Sequence, residues 1–405
     1  MKESEAKSSL SENGGITSAL FTDFYELTMA QGYWKEKMNR PVVFDMFFRR
    51  QPWAGGFSVL AGNETLLDVL TSFRFEEADI AYLAEQKIFD KGFLDYLKDF
   101  SFGGDVYMMD EGSVIFPQEP LIRIHANLIE AQIVEGLILN YVNFQSLIAT
   151  KTARVWLASN KGSLMEFGLR RAQGPDGAMS ASRAAFIGGA AGTSNTLAGK
   201  RYGIPVMGTM AHSWIMSFPS ELEAFEAYAE LYPETSVFLL DTYDTLKSGI
   251  HNAIKAGKKL AAQGHKFGVR LDSGDIQYLS VEVRKILDEA GFPDAFITVS
   301  NELTEEIIET LVASGAPINA WGVGTHMVTG GSDSSFTGVY KLAARKDGGG
   351  GPFIPAMKFS DNPAKTTNPG IKNVFRLYDE CGMAKADILA LDGEKIEEGK
   401  EYRYY

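Results

Sequence analysis

One cysteine, Cys381, and five histidines are all that 405 residues contain. A single thiol forms no internal disulfide and leaves no thiolate-rich zinc site, so a reducing compartment, the cytoplasm, is the expected location. No uninterrupted apolar run approaches the ~18 residues of a membrane span. The opening MKESEAKSSLSENGG has no apolar core of a signal peptide, and residues 1–18 are expected to form a flexible tail. Positive charge is also in deficit. A formal net charge of −13 argues against a surface that attracts nucleic acid, so any anionic ligand has to be held by a local cluster. Two nucleotide signatures fail: there is no Walker G-x-x-x-x-G-K-[ST], and in GVGTHM the third dinucleotide-binding glycine is replaced by Met327.

What is present suffices for a large core. The chain is longer than a single hydrophobic core usually spans, which predicts two domains, or one barrel of about 250 residues with additions. Residues 19–150 read as an N-terminal α+β domain. Helical TDFYELTMAQGYWKE, with Thr22 or Asp23 as N-cap, is followed by alternating VVFDMFFRR and DVYMMDEGSVI. A long apolar helix is expected over 127–158, broken near Thr152. Residues 151–345 then alternate short strands (SLMEF, IPVMGT, SVFLLD, KFGVRLD, AFITVS, INAWGVG) with helices such as ELEAFEAYAELY, the pattern of parallel βαβ units. Residues 346–405 read as a long Gly- and Pro-rich loop with a short strand inside it, then two strands returning to the N-terminal domain.

Polar residues gather where the strands end: EFGLRRAQ, GTMAHS, LLDTYD, RLDSGD, VSNE and GVGTH. In a parallel barrel these ends surround one pocket, and a doubly wound sheet also binds ligands at its carboxyl edge, so the barrel is preferred on pattern alone. GVGTHMVTGG, with Gly324 and Thr325, can expose backbone N–H groups to a phosphate, although glycines alone more often make an ordinary turn. Gly/Ser/Thr-rich GGAAGTSNTLAGKR offers a second such turn. The strand period puts Arg270 and Asp272 on one face, either as a structural ion pair or as an anion clamp beside a hydroxyl or metal-water ligand. Phe167 is a core residue by default, and with Arg170 three positions on it can instead cover a flat ring. His212 sits in apolar GTMAHSWIMSF, where most histidines are hydrogen-bonded core residues. Yet Asp241 or Asp244 of the next strand end could accept its ring N–H, as for a general base or covalent nucleophile.

Together TDFYELTMAQGYW, FDMFFRR, EFGLRRAQGPDGAMSASRAAFIGGAAGTSNTLAG, GTMAHSWIMSF, RLDSGD and GVGTHMVT resemble nicotinate phosphoribosyltransferases, in order from about residue 19 to 379. The resemblance implies an α/β fold: an irregular, TIM-like β/α barrel of the type II phosphoribosyltransferase kind with an N-terminal α+β domain, working as a homodimer. It implies condensation of nicotinate with phosphoribosyl pyrophosphate, coupled to ATP hydrolysis with Mg²⁺, in NAD salvage. His212 would be phosphorylated by ATP and oriented by Asp241. Phe167 and Tyr25 would sandwich the pyridine ring, Tyr25 from the other subunit. Arg170, Thr209 and Arg270 would hold the carboxylate or adjoining phosphates, Asp272 would meet the ribose or magnesium, Gly324 and Thr325 the 5-phosphate, and Asn301 the mouth of the site. Relatives that use nicotinamide place an Asp where this chain has Ser194, so Ser194 favours the acid over the amide. The alternatives are nicotinamide as substrate, and, from another class, a phosphosugar isomerase or aldolase barrel, against which stands the lack of a Schiff-base lysine at a strand end.

Overall fold

The segment PVVFDMFF is apolar except at Asp45, the composition of a strand buried on both faces. It forms β1 (Pro41–Phe48) at the centre of a five-stranded sheet. The computed structural model describes residues 18–348, 351–359, 361 and 365–397; the expected N-terminal tail lies outside them apart from Ser18. By internal contacts the chain divides into two units, residues 1–146 with 335–405, and residues 147–334.

In the first unit β1 pairs antiparallel with β5 (Ile122–Asn127) on one side and β12 (Gly338–Arg345) on the other. The outer strands are β3 (Asp105–Met108) and β13 (Ile354–Pro355), giving the order β13-β12-β1-β5-β3. Because β12 is claimed by β1, the division between units falls before it rather than at Arg345. Two short strands, β2 (Ser58–Val59) and β4 (Val114–Ile115), make a separate pair, and β14 (Lys372–Tyr378) with β15 (Ala384–Leu391) a hairpin. Asp45 is buried in the middle of β1. Lys372 Nζ at 2.7 Å and Arg123 Nε at 3.5 Å compensate its charge.

Helix α1 (Phe24–Lys35) starts after Asp23, which occupies the N-cap position without a side-chain cap bond; Thr22 instead bonds to Glu26. The helices α2 (Asn63–Leu70), α3 (Glu77–Glu85) and α4 (Lys91–Leu97) follow, and then α5 (Leu128–Ile133) and α6 (Glu135–Ala158). The break expected near Thr152 lies at Val134. Thr152 is tolerated inside α6 because its hydroxyl bonds back to the Ile148 carbonyl at 2.8 Å.

The second unit holds a six-stranded parallel sheet in the order β7-β6-β11-β10-β9-β8. Its strands are β6 (Ser163–Glu166), β7 (Gly192–Thr193), β8 (Val237–Leu239), β9 (Gly268–Leu271), β10 (Phe296–Val299) and β11 (Ala320–Val323). The stretch IPVMGT, expected as a strand, makes only a parallel bridge from Val206 to Thr193 at the outer edge of β7.

Intervening helices are α7 (Gly174–Ile187), α8 (Thr196–Tyr202), α9 (His212–Met216), α10 (Glu221–Leu231), α11 (Ile250–Ala262), α12 (Ile276–Glu289), α13 (Glu305–Ala313) and α14 (Thr325–Val328). Several start at a polar cap soon after a strand: the side chains of Asn195, Asp275 and Thr304 each accept a backbone N–H three residues on, Asp244 caps the turn before α11 in the same way, and Ser220 does so for α10 after α9. Strand-end polarity therefore divides between helix capping and the site.

Candidate active site

The two strand ends LDTYD and LDSGD show that division most clearly. In each, a second Asp (Asp244, Asp275) caps the following helical turn by accepting from the N–H of Lys247 at 2.9 Å or of Tyr278 at 3.0 Å. The first Asp (Asp241, Asp272) is left for the carboxyl edge of the sheet.

Arg270, in β9, is the centre of what gathers there. Its Nε donates to Ser300 Oγ at 2.8 Å, Nη1 to Thr209 Oγ1 at 2.9 Å and to the Met210 carbonyl at 3.2 Å, and Nη2 to Asp272 Oδ1 at 2.9 Å. Four of the five guanidinium donors are thus spent on the protein. The ion pair and the anion clamp are not exclusive, because one N–H remains for a ligand. The guanidinium carbon stands 6.0 Å from the centroid of Phe167. Phe167 is pinned by its own N–H to the Val323 carbonyl at 2.8 Å, and its ring lies against Gly322, where a Cβ would come within 2.6 Å of it. Only glycine leaves that space.

Asp272 receives the Ser300 hydroxyl as well as Arg270. Burial works to raise its pKa, but the Ser300 hydroxyl and then the charge and hydrogen bond of Arg270 outweigh it, so the carboxylate is held below the usual aspartate range. His212 opens α9; its Nδ1 lies 3.0 Å from Thr242 Oγ1 and its Nε2 3.9 Å from Asp272 Oδ2. The ring partner is Thr242, not Asp241. Successive residues past β8 point to different sides, and Asp241 turns to the Ser273 hydroxyl while its buried Oδ1 has no hydrogen-bond partner among the described residues.

Among the other candidates, Ser194 is half-buried with its N–H on the Glu166 carbonyl at 2.9 Å. Arg170 is exposed on the turn after Phe167, and Gly324 and Thr325 lie where β11 passes into α14. Asn301 is exposed with φ 105°, an uncommon backbone for any residue but glycine. Tyr25 belongs to the first unit, in the first turn of α1, and is 48% exposed.

Several site residues escaped the sequence reading. Ser300 was findable: Thr298 pairs with Arg270 in parallel register, which sets Ser300 beside Asp272 two residues on. Glu166 is fully buried and, among the described residues, pairs with no cation; it accepts the hydroxyls of Ser182 at 2.9 Å and Thr193, and the N–H of Gly168. Asn195 donates to Ser182 at 3.2 Å, so this network ties the turn bearing Phe167 to the turn bearing Ser194.

Among the described residues no group of three or more His, Cys, Asp or Glu side chains could hold a metal ion. The unpartnered Oδ1 of Asp241 does fit a magnesium ion that is bound mainly through substrate phosphates and touched by one or two carboxylates.

These features define an α/β protein with an arginine-centred polar cluster at the carboxyl edge of a parallel sheet. Residues 20–143 match the model of the nicotinate phosphoribosyltransferase N-terminal domain and residues 162–335 that of the nicotinate phosphoribosyltransferase family. A nicotinate phosphoribosyltransferase of Bacillus subtilis is 42% identical over 96% of this chain and 79% of its own, and one of Mycobacterium tuberculosis 44% identical over 93% and 79%. The crystal structure of human nicotinic acid phosphoribosyltransferase superposes with a TM-score of 0.80 at 33% identity, covering 93% of this chain and 82% of the human one. The chain belongs to the nicotinate phosphoribosyltransferase family.

Proposed function

We propose that the protein transfers phosphoribosyl from phosphoribosyl pyrophosphate to nicotinate, forming nicotinate mononucleotide and pyrophosphate in NAD salvage, with ATP as co-substrate. The carrying observation is the Arg270 cluster, in which one guanidinium fixes Thr209, Ser300 and Asp272 beside the Phe167 ring and His212. It offers a flat face, a residual cationic donor and a carboxylate, which a pyridine carboxylate and a ribose with phosphates require together.

In the transfer the pyridine nitrogen attacks ribose C1 while the bond from C1 to the pyrophosphate oxygen breaks, and the bonding pair leaves with pyrophosphate. No side chain has to remove a proton, since the nitrogen is already a free nucleophile; the protein's task is to stabilise separating charge. Phe167 receives one face of the pyridine ring and Tyr25 of a second copy the other. Arg270, with Arg170 and Thr209, holds the carboxylate or adjoining phosphates. Gly324 and Thr325 receive the 5-phosphate, and Asn301 lines the mouth. Asp272 sits beside the developing positive charge on the ribose. Magnesium would be met by Asp241 Oδ1 and Asp272, and supplies neutralisation of the leaving pyrophosphate.

His212 couples the reaction to ATP. With Nδ1–H donating to Thr242, the Nε2 lone pair attacks the terminal phosphorus of ATP, ADP departs, and the phosphohistidine places new charge beside Asp272. The finer fold we read as an irregular β/α barrel, a reading supported by the parallel strand order and by the Val206 bridge that extends the β7 edge. The test is product analysis with nicotinate, nicotinamide and quinolinate, each with and without ATP. Mononucleotide from nicotinate, stimulated by ATP, is expected; preferential use of either other ring overturns the reading. Ser194→Asp should weaken nicotinate by setting a like charge at its carboxylate, and an unchanged preference would remove Ser194 from the ring site.

A further inference from the structure

The last residue of β6 breaks the pattern of its strand. Leu164 and Glu166 stand on the same face, both fully buried, where a second apolar side chain is expected. Phe167, the next residue, points to the other side, over Gly322 and toward Arg270. Glu166 therefore stands behind the ring that faces the proposed substrate. Its two oxygens are spent in different directions. Oε1 accepts the N–H of Gly168, directly after Phe167, while Oε2 accepts the hydroxyls of Ser182 at 2.9 Å and of Thr193, directly before Ser194. On the far side of Ser194, Asn195 donates its backbone N–H to Thr193 Oγ1 at 3.0 Å and its side-chain amide to Ser182 Oγ at 3.2 Å. Ser194 itself donates its N–H to the Glu166 carbonyl at 2.9 Å. Gly168 has no slack, since a Cβ there would come within 2.2 Å of Val328 and 3.0 Å of the same carboxylate.

An apolar side chain would fill this place without the cost of desolvating a charge. It could not accept hydrogen bonds in two directions at once. We propose that Glu166 is a positioning residue that fixes the spacing between the Phe167 ring and Ser194, and with it the preference for the acid over the amide of the pyridine ring. The turn after β6 and the turn after β7 are held to one carboxylate, so the gap between them is set from behind. The inference rests on the reading that Phe167 and Ser194 face the substrate ring.

The test compares Glu166→Gln, Thr193→Val and Thr193→Ser in steady-state kinetics with nicotinate as substrate and nicotinamide as competitor. Glutamine keeps the shape but has one accepting oxygen, so it serves one turn only. Valine keeps the shape of Thr193 without its hydroxyl, and serine keeps the hydroxyl. Glu166→Gln and Thr193→Val are each expected to raise the KM for nicotinate about tenfold and to lower the ratio of the nicotinamide inhibition constant to that KM, with kcat and the KM for phosphoribosyl pyrophosphate within about threefold of the parent enzyme. Thr193→Ser should stay within about twofold of the parent on every count. Combining Glu166→Gln with Thr193→Val should cost much less than the product of the two, because both remove one shared bond. Ser182→Ala reaches the same network without altering the buried charge, and takes the place of Glu166→Gln if that variant does not fold. Equal damage to the KM values of both substrates, or Thr193→Ser as impaired as Thr193→Val, marks plain packing and overturns the proposal, as does an unchanged preference in Thr193→Val. An unchanged KM for nicotinate in both Phe167→Ala and Ser194→Asp overturns instead the ring contact beneath it.

Discussion

Two carboxylates, one in each unit, are treated in opposite ways by their surroundings. Asp272, in the second unit, meets a hydroxyl and a guanidinium and is held ionised. Glu26, in the first, is fully buried beside Glu135 and Asp23. Burial is the largest influence, and with its Thr22 hydrogen bond opposing and the neighbouring charges adding, its pKa is pushed up to about 8. Burial penalises both; at Asp272 the Ser300 hydroxyl and the Arg270 guanidinium together outweigh it, whereas at Glu26 the single Thr22 hydroxyl does not and the neighbouring acids add to it. Negative charge is thus kept where a ribose cation would form and suppressed under the helix that carries Tyr25.

The contrast can be broken first at its charged end. His212→Ala should abolish nicotinate-dependent ATP hydrolysis and acid-labile phosphoprotein, leaving slow ATP-independent transfer; radiolabelled ATP with an acid-stability assay reads both. Arg270→Ala removes four bonds at once and leaves Asp272 without its cation, so kcat/KM for pyrophosphate release should fall roughly a thousandfold, with Arg270→Lys recovering little because an ammonium cannot reproduce the planar fork.

At the other end, Glu26 yields a stability slope. Folded Glu26 keeps its proton to about pH 8, whereas an unfolded glutamate releases it near 4.5. The folded protein binds more protons between these values, so this residue's contribution to stability is full below pH 4.5 and falls by about 4 kcal/mol as pH rises to 8. Urea unfolding at several pH values should show that decline in the parent protein and a flatter profile in Glu26→Gln. The smallest effect separates the paired aspartates: Asp275→Ala should cost about 1 kcal/mol of stability as a lost helix cap and leave kcat/KM within about threefold, while Asp272→Ala should do the reverse. Equal kinetic damage from both would erase the division of labour at that strand end.

Part of this could be read from the letters. Strands ending in polar residues marked the carboxyl edge, and the period of two put Arg270 with Asp272. Period alone does not tell a capping Asp from a functional one, and the strand end offered Asp241 or Asp244 rather than Thr242 as the His212 partner, because which residue past a strand end turns inward depends on how the chain bends there. Ser300 needed the register between neighbouring strands. The helix break at Val134 has no proline to announce it, and Gly136 two residues on lies inside the first turn of α6, where a lone glycine does not by itself mark a break. Glu135 and Lys341, an ion pair at 3.6 Å, come from segments some two hundred residues apart that only the pairing of β1 with β12 brings together, so no local pattern holds them.

Lys372 opens the C-terminal hairpin, yet its ammonium group lies buried against Asp45 in the central strand and also donates to the carbonyls of Asn368 at 2.8 Å and Gly370 at 2.7 Å. A premature stop anywhere before that lysine is therefore equivalent to a core substitution three hundred residues upstream. It strips an interior carboxylate of its nearest counter-charge, and truncated versions made for expression or crystallisation would inherit the defect however trim their ends look.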